Sequence, residues 1–338
     1  MAHNIWQLQC SAPCHLSSWE HHRLQGGREL LYKLKAVAHP GVMFERSGNL
    51  FLRWSLVLVL AFWTMDAFGQ TGISGQAIAT VRGLPITVYT YHPLGCARPG
   101  FLFVFHGNGR GAASYRNSAR PLADRVCFIV YAPLFDKSRF PNWSYHRGGI
   151  VQDGTVMPKE EWTVELAGEL VDWARREEGR PDAPYYLFGH SAGGQFLSRV
   201  GAFAPPSDAE RIVIANPSTQ VLPSLDEVAP YGLGGVFDQK DGEAQLRKYL
   251  QLPITIYLGL EDTGDEDLTM NSAANRQGKN RLERGEFVFR MGESVARENG
   301  WEFGWRLVTV PGLGHSARDA LRADQINEGL GLPALLTP

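Results

Sequence analysis

The pattern G-x-S-x-G at residues 189–193 contains a serine that can act as a nucleophile. It follows the apolar segment Tyr185–Phe188, which has the composition of a β-strand, and precedes a helical stretch. On such a sharp turn the serine hydroxyl projects above the sheet, while small neighbours let strand and helix pack closely. We therefore predict that Ser191 is a nucleophile; a glycine turn with a helix-capping serine is the alternative. The other residues of this nucleophile elbow are Gly189, His190 and Gly193.

A histidine and an acidic residue follow two later predicted strands and can activate this serine. A serine hydroxyl is a poor nucleophile until a histidine takes its proton, and a carboxylate must orient that histidine. Asp262 follows the predicted strand Ile254–Leu258, and His315 follows the predicted strand Arg306–Val310. We predict that His315 is the base and Asp262 its orienting acid, whereas His190 points elsewhere and packs. The alternatives to Asp262 are its acidic neighbours Glu261, Asp265, Glu266 and Asp267.

The turn at residues 106–109, with the sequence HGNG, follows the predicted strand Phe101–Phe105. Acyl transfer needs two N–H donors at the oxyanion that develops during the reaction. We predict that the backbone N–H groups of Ala192 and Asn108 form this oxyanion hole, with Gly109 next in line.

The same turn also matches a dinucleotide-binding fingerprint. Gly107, Gly109 and Ala112 fit G-x-G-x-x-A after a strand, with Asp124 rather close to serve as the ribose-binding acid. This alternative leaves the serine elbow and the later aspartate and histidine unexplained, so we favour the oxyanion hole.

Strands and helices alternate along the chain in the order needed to position these residues. This alternation predicts an α/β fold with a doubly wound, mostly parallel sheet, helices on both faces and ligands at the carboxyl ends of the strands. Two stretches, 132–158 and 216–252, are long for simple connections and are candidate cap loops. The remaining predicted strands are Ile86–Tyr91, Cys127–Tyr131 and Arg211–Ala215, and the predicted helices are Lys159–Glu178, Ser191–Phe203, Leu282–Asn299 and Ala317–Glu328.

The composition is that of a globular protein without a general affinity for nucleic acid. The chain has 338 residues, of which 44% are hydrophobic and 20% charged, and a formal net charge of −2. A nucleic-acid binder needs a basic surplus on its binding surface. Four cysteines in this length exclude a disulfide-built fold.

The first seventy residues differ in character from the rest. Residues 1–42 lack sustained apolar periodicity, and we interpret them as a non-native extension of the reading frame ahead of a start at Met43. Residues 43–69 contain basic residues, a twelve-residue apolar run and a small-x-small motif ending at Gly69, which is typical of a secretory signal. We therefore expect cleavage near Gly69, export to the periplasm or medium, no stable membrane insertion afterwards, and a single domain over residues 70–338.

Cysteines and histidines offer two further hypotheses. Cys10, Cys14 and His15 are a weak zinc pattern because no second pair of ligands follows at a suitable distance, so we predict no metal site. Cys96 and Cys127 lie near the starts of neighbouring predicted strands and can pair in an exported protein; alternatively, Cys127 is a buried small hydrophobic residue.

Two groups of side chains near the motifs have open roles. Aromatic residues cluster in the long loop after residue 131, where Trp143 and Tyr145 either line a substrate pocket or belong to a packed cap. The basic stretch Arg276–Arg290, which contains Arg281 and Arg284, is expected to be a solvated helix start rather than an anion site.

Across residues 86–328 the chain resembles an α/β-hydrolase. Within that superfamily, Phe105-His106-Gly107 and the GHSAGG sequence at 189–194 resemble the esterase and polyhydroxyalkanoate-depolymerase-like branch. The resemblance implies hydrolysis of carboxylic esters through an acyl-enzyme, with the residue roles given above and no cofactor. The chain departs from the depolymerase pattern at Asn108, where those relatives often carry a cysteine, and shows no separate polymer-binding segment.

The expected substrate is a small-molecule or oligomeric ester. An acyltransferase or a peptidase could use the same three residues, because only the acceptor or the scissile bond differs. A non-catalytic binding protein on the hydrolase scaffold is the third alternative, although such a protein has no physical need for all three groups.

Overall fold

A computed structural model describes residues 72–333, so the predictions for residues 1–42, for the signal segment 43–69 and for a zinc site at Cys10 lie outside the described residues. The strands, in chain order, are β1 (Ile73–Val81), β2 (Leu84–His92), β3 (Gly100–Phe105), β4 (Phe128–Pro133), β5 (Val151–Gln152), β6 (Thr155–Val156), β7 (Tyr185–His190), β8 (Arg211–Ala215), β9 (Ile254–Gly259) and β10 (Arg306–Val310). The helices are α1 (Ala112–Val126), α2 (Leu166–Glu177), α3 (Ala192–Phe203), α4 (Gln239–Gln251), α5 (Ser272–Asn275), α6 (Arg281–Asn299), α7 (Ala317–Ala320) and α8 (Ile326–Leu330).

Eight of these strands form one sheet in the spatial order β1-β2-β4-β3-β7-β8-β9-β10. β1 pairs antiparallel with β2, and β2 pairs antiparallel with β4. All the other neighbours in this sheet run parallel. The predicted α/β fold with a mostly parallel sheet is therefore confirmed, and the carboxyl ends of β3, β7, β9 and β10 lie at one edge of it.

The central strand β3 shows why its sequence is apolar throughout. Phe101, Phe103 and Phe105 face the core layer that contains α2, α3, α4 and α6, whereas Leu102 and Val104 face the layer that contains α1, α7 and α8. All five side chains are fully buried because helices cover both faces of the sheet.

Two predicted helices are shorter or more broken than their sequence pattern indicated. The predicted helix Lys159–Glu178 begins only at Leu166, because Trp162 adopts an extended conformation between two short 3₁₀ turns and its indole donates to the carbonyl of Met157. The predicted helix Ala317–Glu328 is split into α7 and α8. Ala320, Leu321, Ile326 and Leu330 are all buried in one cluster, and a single straight helix would not place these positions on one face.

The candidate cap loops have different structures. Residues 216–238 are irregular, but α4 begins after Asp238, whose carboxylate caps the helix by accepting from the N–H of Asp241. After β4, residues 134–150 form a folded connection without strands or helices, which we call the aromatic segment.

Cys96 and Cys127 form a disulfide, with their Cα atoms 5.6 Å apart. Cys127 is the left-handed residue that ends α1, directly before β4 rather than within it. The bond therefore ties the entrance of β4 to the segment that leads into its neighbour β3. Between residues 72 and 333, no helix combines the length and the apolar character needed to cross a membrane.

Candidate active site

Ser191 occupies a strained turn between β7 and α3. Its backbone has φ +56° and ψ −116°, a conformation that side-chain-bearing residues rarely adopt. The turn is possible because glycines surround it: a Cβ at Gly189 would collide with the carbonyl of Gly193, and a Cβ at Gly193 would collide with the carbonyl of Phe105 at the end of β3. The elbow glycines thus let β7, α3 and β3 meet without intervening side chains.

Ser191, His315 and Asp262 form a continuous hydrogen-bonded chain. The Nε2 atom of His315 lies 3.0 Å from the Ser191 hydroxyl oxygen, and its Nδ1 atom lies 2.6 Å from Oδ2 of Asp262. A carboxylate can only accept, so Nδ1 carries the proton and Nε2 is free to accept the hydroxyl proton. The three residues reach this arrangement because each follows a parallel strand, β7, β9 or β10, at its carboxyl end.

The acidic neighbours of Asp262 are placed differently. Asp262 is 3% exposed, whereas the alternatives to it are exposed on residues 260–268, which we call the acidic turn. Asp267 has φ +53° and brings its carboxylate to 3.5 Å from the side-chain amide of Asn108 across the cleft. The structure therefore places Asp262, and none of the alternatives, against the imidazole of His315.

The expectation of a solvated helix start at Arg276–Arg290 is wrong for Arg281 and Arg284. Both side chains are almost completely buried, and Nη1 of Arg281 lies 3.3 Å from Oδ1 of Asp262, the oxygen that does not bond His315. Arg281 also donates to the carbonyls of Gly264 and Glu266 in the acidic turn. The sequence reasoning missed this contact because charge alone does not show which face of a helix points inward.

The predicted oxyanion-hole residues lie next to Ser191. A Cβ at Gly107 would be 3.5 Å from Cβ of Ser191, which places the HGNG turn in contact with Ser191. No acceptor for the N–H of Asn108 is found among residues 72–333. Ala192 is the first residue of α3, where helical N–H groups have no intrahelical partner. Gly109 is exposed on the same turn.

His190 packs against the ring of His315. Its ring centroid lies 4.6 Å from that of His315, and its Nδ1 atom is hydrogen-bonded to the hydroxyl of Tyr115 at 3.2 Å. Burial, reinforced by the neighbouring His315, lowers the pKa of His190 well below its usual value. His190 therefore stays neutral and adds no charge behind His315. The role of Tyr115, in the first turn of α1, was not foreseen.

The aromatic segment is packed in the core, which favours the packed-cap alternative for Tyr145 over the substrate pocket. Tyr145 is fully buried, its ring stacks on Phe135 at 4.9 Å, and its hydroxyl donates to the carbonyl of His106 at 2.8 Å. The N–H of Phe135 donates to Nε2 of His106 at 3.1 Å. Trp143 is half-buried and also does not line the cleft at Ser191.

His106 and Arg110 connect the HGNG turn to this support. Burial lowers the pKa of His106 to about 4, so the imidazole is neutral and can accept from Phe135. The guanidinium of Arg110 lies 4.6 Å above the Tyr145 ring and donates to the carbonyl of Phe135 and the side chain of Asn142. The HGNG turn, which carries Asn108, is therefore connected to the aromatic segment through both His106 and Arg110.

An open cleft of about 410 Å³ gives access to Ser191 and His315. Its charged lining residues, apart from the histidines, are Asp267 on the acidic turn and Arg318 after His315, while Asn108 and Tyr115 contribute polar groups. Among residues 72–333, no group of three or more histidines, cysteines or acidic residues is arranged to hold a metal ion.

No protein-family model and no curated protein matches this chain. Several solved structures do. Poly(aspartic acid) hydrolase-1 from Sphingomonas sp. KT-1 is 34% identical, over 75% of this chain and 97% of its own, with a TM-score of 0.69. The poly(3-hydroxybutyrate) depolymerase LpqC from Bordetella parapertussis is 32% identical, over 77% of this chain and 92% of its own, with a TM-score of 0.70.

A third solved structure is similar in fold only. The S-formylglutathione hydrolase from Agrobacterium tumefaciens is 15% identical, over 79% of this chain and 96% of its own, with a TM-score of 0.50. The two more similar proteins are hydrolases of polymers, and each is covered almost completely by this chain.

Proposed function

Because this chain belongs to the α/β-hydrolase superfamily of serine hydrolases, in its esterase and polyhydroxyalkanoate-depolymerase-like branch, we propose that it hydrolyses carboxylic esters through an acyl-enzyme. The observation that carries the proposal is the hydrogen-bonded chain from Ser191 through His315 to Asp262 at the base of an open cleft. We assign the three residues the roles of nucleophile, base and orienting acid.

In the first half of the reaction, the Ser191 oxygen attacks the ester carbonyl carbon while His315 Nε2 takes the hydroxyl proton. The carbonyl oxygen becomes an oxyanion, which the N–H groups of Asn108 and Ala192 stabilise; loss of one such donor typically costs about 10²–10³ in rate. His315 then returns its proton to the alcohol oxygen as the C–O bond breaks. The alcohol leaves, and the acyl group remains on Ser191.

In the second half, a water molecule takes the place of the alcohol. His315 removes a proton from the water, the hydroxide attacks the acyl carbon, and the proton returns to the Ser191 oxygen as the acid is released. Asp262 keeps its negative charge throughout. It holds the proton of His315 on Nδ1 and stabilises the imidazolium that forms in each half.

The test is hydrolysis of p-nitrophenyl esters from acetate to dodecanoate by the full chain and its S191A variant in parallel. We expect turnover that falls by at least about 10³-fold in S191A, with an unchanged circular-dichroism spectrum. The chain-length profile would measure how long an acyl group the cleft accepts. Equal rates for the two proteins, or no turnover by the folded wild type, would contradict the proposal.

A second candidate is cleavage of amide bonds in an aspartate polymer by the same residues, which the 34% identity to a poly(aspartic acid) hydrolase favours. Asp267 of the acidic turn lines the cleft, and its carboxylate favours a neutral ester over a polyanion, an effect that Arg318 on the same cleft partly offsets. Incubation with poly(aspartic acid) and with oligomers of 3-hydroxybutyrate, followed by mass spectrometry, separates the two. An added alcohol acceptor in the same assay would reveal acyl transfer as a new ester product.

We also propose that the protein is exported after cleavage near Gly69. The apolar run at residues 54–65 supports a secretory signal, and the disulfide between Cys96 and Cys127 suits an oxidising compartment. N-terminal sequencing of the secreted product should give Gln70 as its first residue. A mature chain that retains His39 would exclude both cleavage at this site and a start at Met43.

A further inference from the structure

Asp262 is held on both sides, by His315 through one oxygen and by a buried arginine through the other. Arg281 is 1% exposed, its Nη1 atom lies 3.3 Å from Oδ1, and the same guanidinium donates to two carbonyls of the acidic turn. We propose that Arg281 is a positioning residue of the active site, which orients Asp262 and limits the strength of His315 as a base. The inference rests on the proposed function.

The first role follows from burial. A buried carboxylate without a counter-charge is costly, and its side chain would turn toward water if it could. While His315 is neutral, Arg281 is the cation that contacts Asp262 among the described residues. Arg281 is also the first residue of the 19-residue helix α6, after the cap of Asn280, so its backbone is rigid. The guanidinium thus connects the acidic turn to a fixed element.

The second role is electrostatic. The charge of Asp262 stabilises the imidazolium of His315, and a cation on the opposite oxygen offsets part of that effect. The imidazolium of His315 is consequently stabilised less than it would be beside an unshared carboxylate, and His315 is the weaker base.

The two roles predict opposite changes in the pH–rate profile when Arg281 is removed. If only the orientation of Asp262 were lost, the imidazolium would be less stable, and the acidic limb of the profile would stay in place or move to lower pH. If the positive charge of Arg281 is lost, Asp262 stabilises the imidazolium of His315 more strongly, and the acidic limb moves to higher pH. A purely structural role for Arg281 therefore cannot produce the expected shift.

Other titratable groups face His315 and must stay constant in the comparison. His190 packs against its ring from β7 and remains neutral, and Tyr115 lies behind His190 on α1. Asp267 on the acidic turn and Arg318 beyond His315 line the same cleft. All four are retained in the variants below.

Arg284 provides a matched control. It lies three residues further along α6, is fully buried, and donates to the carbonyls of Ser218, Thr269 and Gly278 and to the side chain of Asn275, without contacting Asp262. Replacing either arginine with glutamine removes one buried charge from the same helix. Only the substitution at position 281 removes a side chain that contacts the carboxylate of Asp262.

The experiment measures kcat and KM for p-nitrophenyl butyrate from pH 5 to 9 with the full chain, R281Q, R281K and R284Q. For R281Q we expect a kcat lower by roughly 10–100-fold, a nearly unchanged KM and an acidic limb shifted up by about 1 pH unit. R281K keeps the charge but not the planar fork, so its kcat should fall while the limb stays in place. R284Q should lose stability and keep the wild-type limb.

An acidic limb in R281Q that coincides with the wild type, moves to lower pH or moves equally in R284Q would overturn the electrostatic role, and a wild-type kcat in R281Q would overturn the orienting role. If R281Q does not fold, R281K decides, and wild-type kcat and KM in R281K would overturn it. Failure of the proposed function is separable. If turnover does not depend on Ser191, the His315 ring resonances can be titrated by NMR in S191A and in S191A/R281Q, and an unshifted midpoint in the double variant would then exclude the effect.

Discussion

The two segments beside the cleft at Ser191 use different kinds of interaction. The aromatic segment supports the HGNG turn with stacked, fully buried rings, and its polar contacts to His106 involve neutral groups. The acidic turn carries exposed carboxylates on either side of the buried Asp262, and the buried guanidinium of Arg281 donates to two of its carbonyls. The first segment is fixed mainly by buried ring packing, to which the guanidinium of Arg110 adds, whereas the second is fixed by charge and by backbone acceptors.

This difference separates stability from chemistry. Removing a ring from the aromatic segment leaves a cavity in the core and should mainly lower the free energy of unfolding. Changing a charge beside the acidic turn alters the electrostatics of His315 and should mainly lower the rate. The expected effects decrease in the order given below, and each tests either the packing of the aromatic segment or the electrostatics beside the acidic turn.

Replacing Asp262 with asparagine should lower kcat by about 10⁴-fold, because an amide no longer holds the proton of His315 on Nδ1. The measurement is steady-state hydrolysis of a p-nitrophenyl ester, with the exposed Asp265 replaced by asparagine as the control. Full activity in D262N would move the orienting role to another carboxylate of the acidic turn.

Replacing Phe135 with alanine should lower the free energy of unfolding by about 3–5 kcal/mol, because its ring packs against Phe105, Tyr145 and Phe196 in the core. Urea unfolding followed by tryptophan fluorescence measures this change. The matched control is F287A, since Phe287 is 37% exposed and its loss should change stability little. Equal effects of the two substitutions would contradict a packed support under the HGNG turn.

Lowering the pH should destabilise the folded protein through His106, which contacts the aromatic segment. Burial lowers the pKa of this imidazole to about 4, so between pH 7 and 5 the unfolded chain takes up a proton that the folded protein does not bind. The free energy of unfolding should therefore fall over this window, with His106 contributing on the order of 1–2 kcal/mol. Urea titrations at both pH values should show a smaller fall in H106Q, and an identical fall would assign the effect to other groups.

Removing the Tyr145 hydroxyl should have the smallest effect. Y145F loses the hydrogen bond to the His106 carbonyl, which costs about 1 kcal/mol of stability while the ring stays packed. The kcat of this variant should match the wild type at a temperature where both are folded. A large fall in kcat without a loss of stability would show that Tyr145 acts on the chemistry.

The position of the candidate site could be predicted because it depends on topology. Ser191, Asp262 and His315 each follow an apolar run, and parallel strands bring their carboxyl ends to one edge of the sheet. Local pattern and chain order were therefore sufficient for these three residues.

The contacts around the site could not be predicted in the same way. Arg281 lies in a sequence as charged as any solvated helix, and only the packing of α6 shows which of its faces points inward. Tyr145 follows a run of aromatic and small residues that fits a pocket as well as a core. Strand β1 was missed because it is an edge strand with mostly exposed side chains, which lacks the apolar run that identified the inner strands.

The close approach of α3 to the end of β3 has a consequence for how the oxyanion hole is aligned. Its two proposed donors come from segments that are more than eighty residues apart in the chain, and the spacing between them is set where Gly193 meets the carbonyl of Phe105. A single methyl group at position 193 would collide with this carbonyl and move Ala192 away from Asn108. The two N–H groups can therefore point at one oxygen atom only because Gly193 has no Cβ.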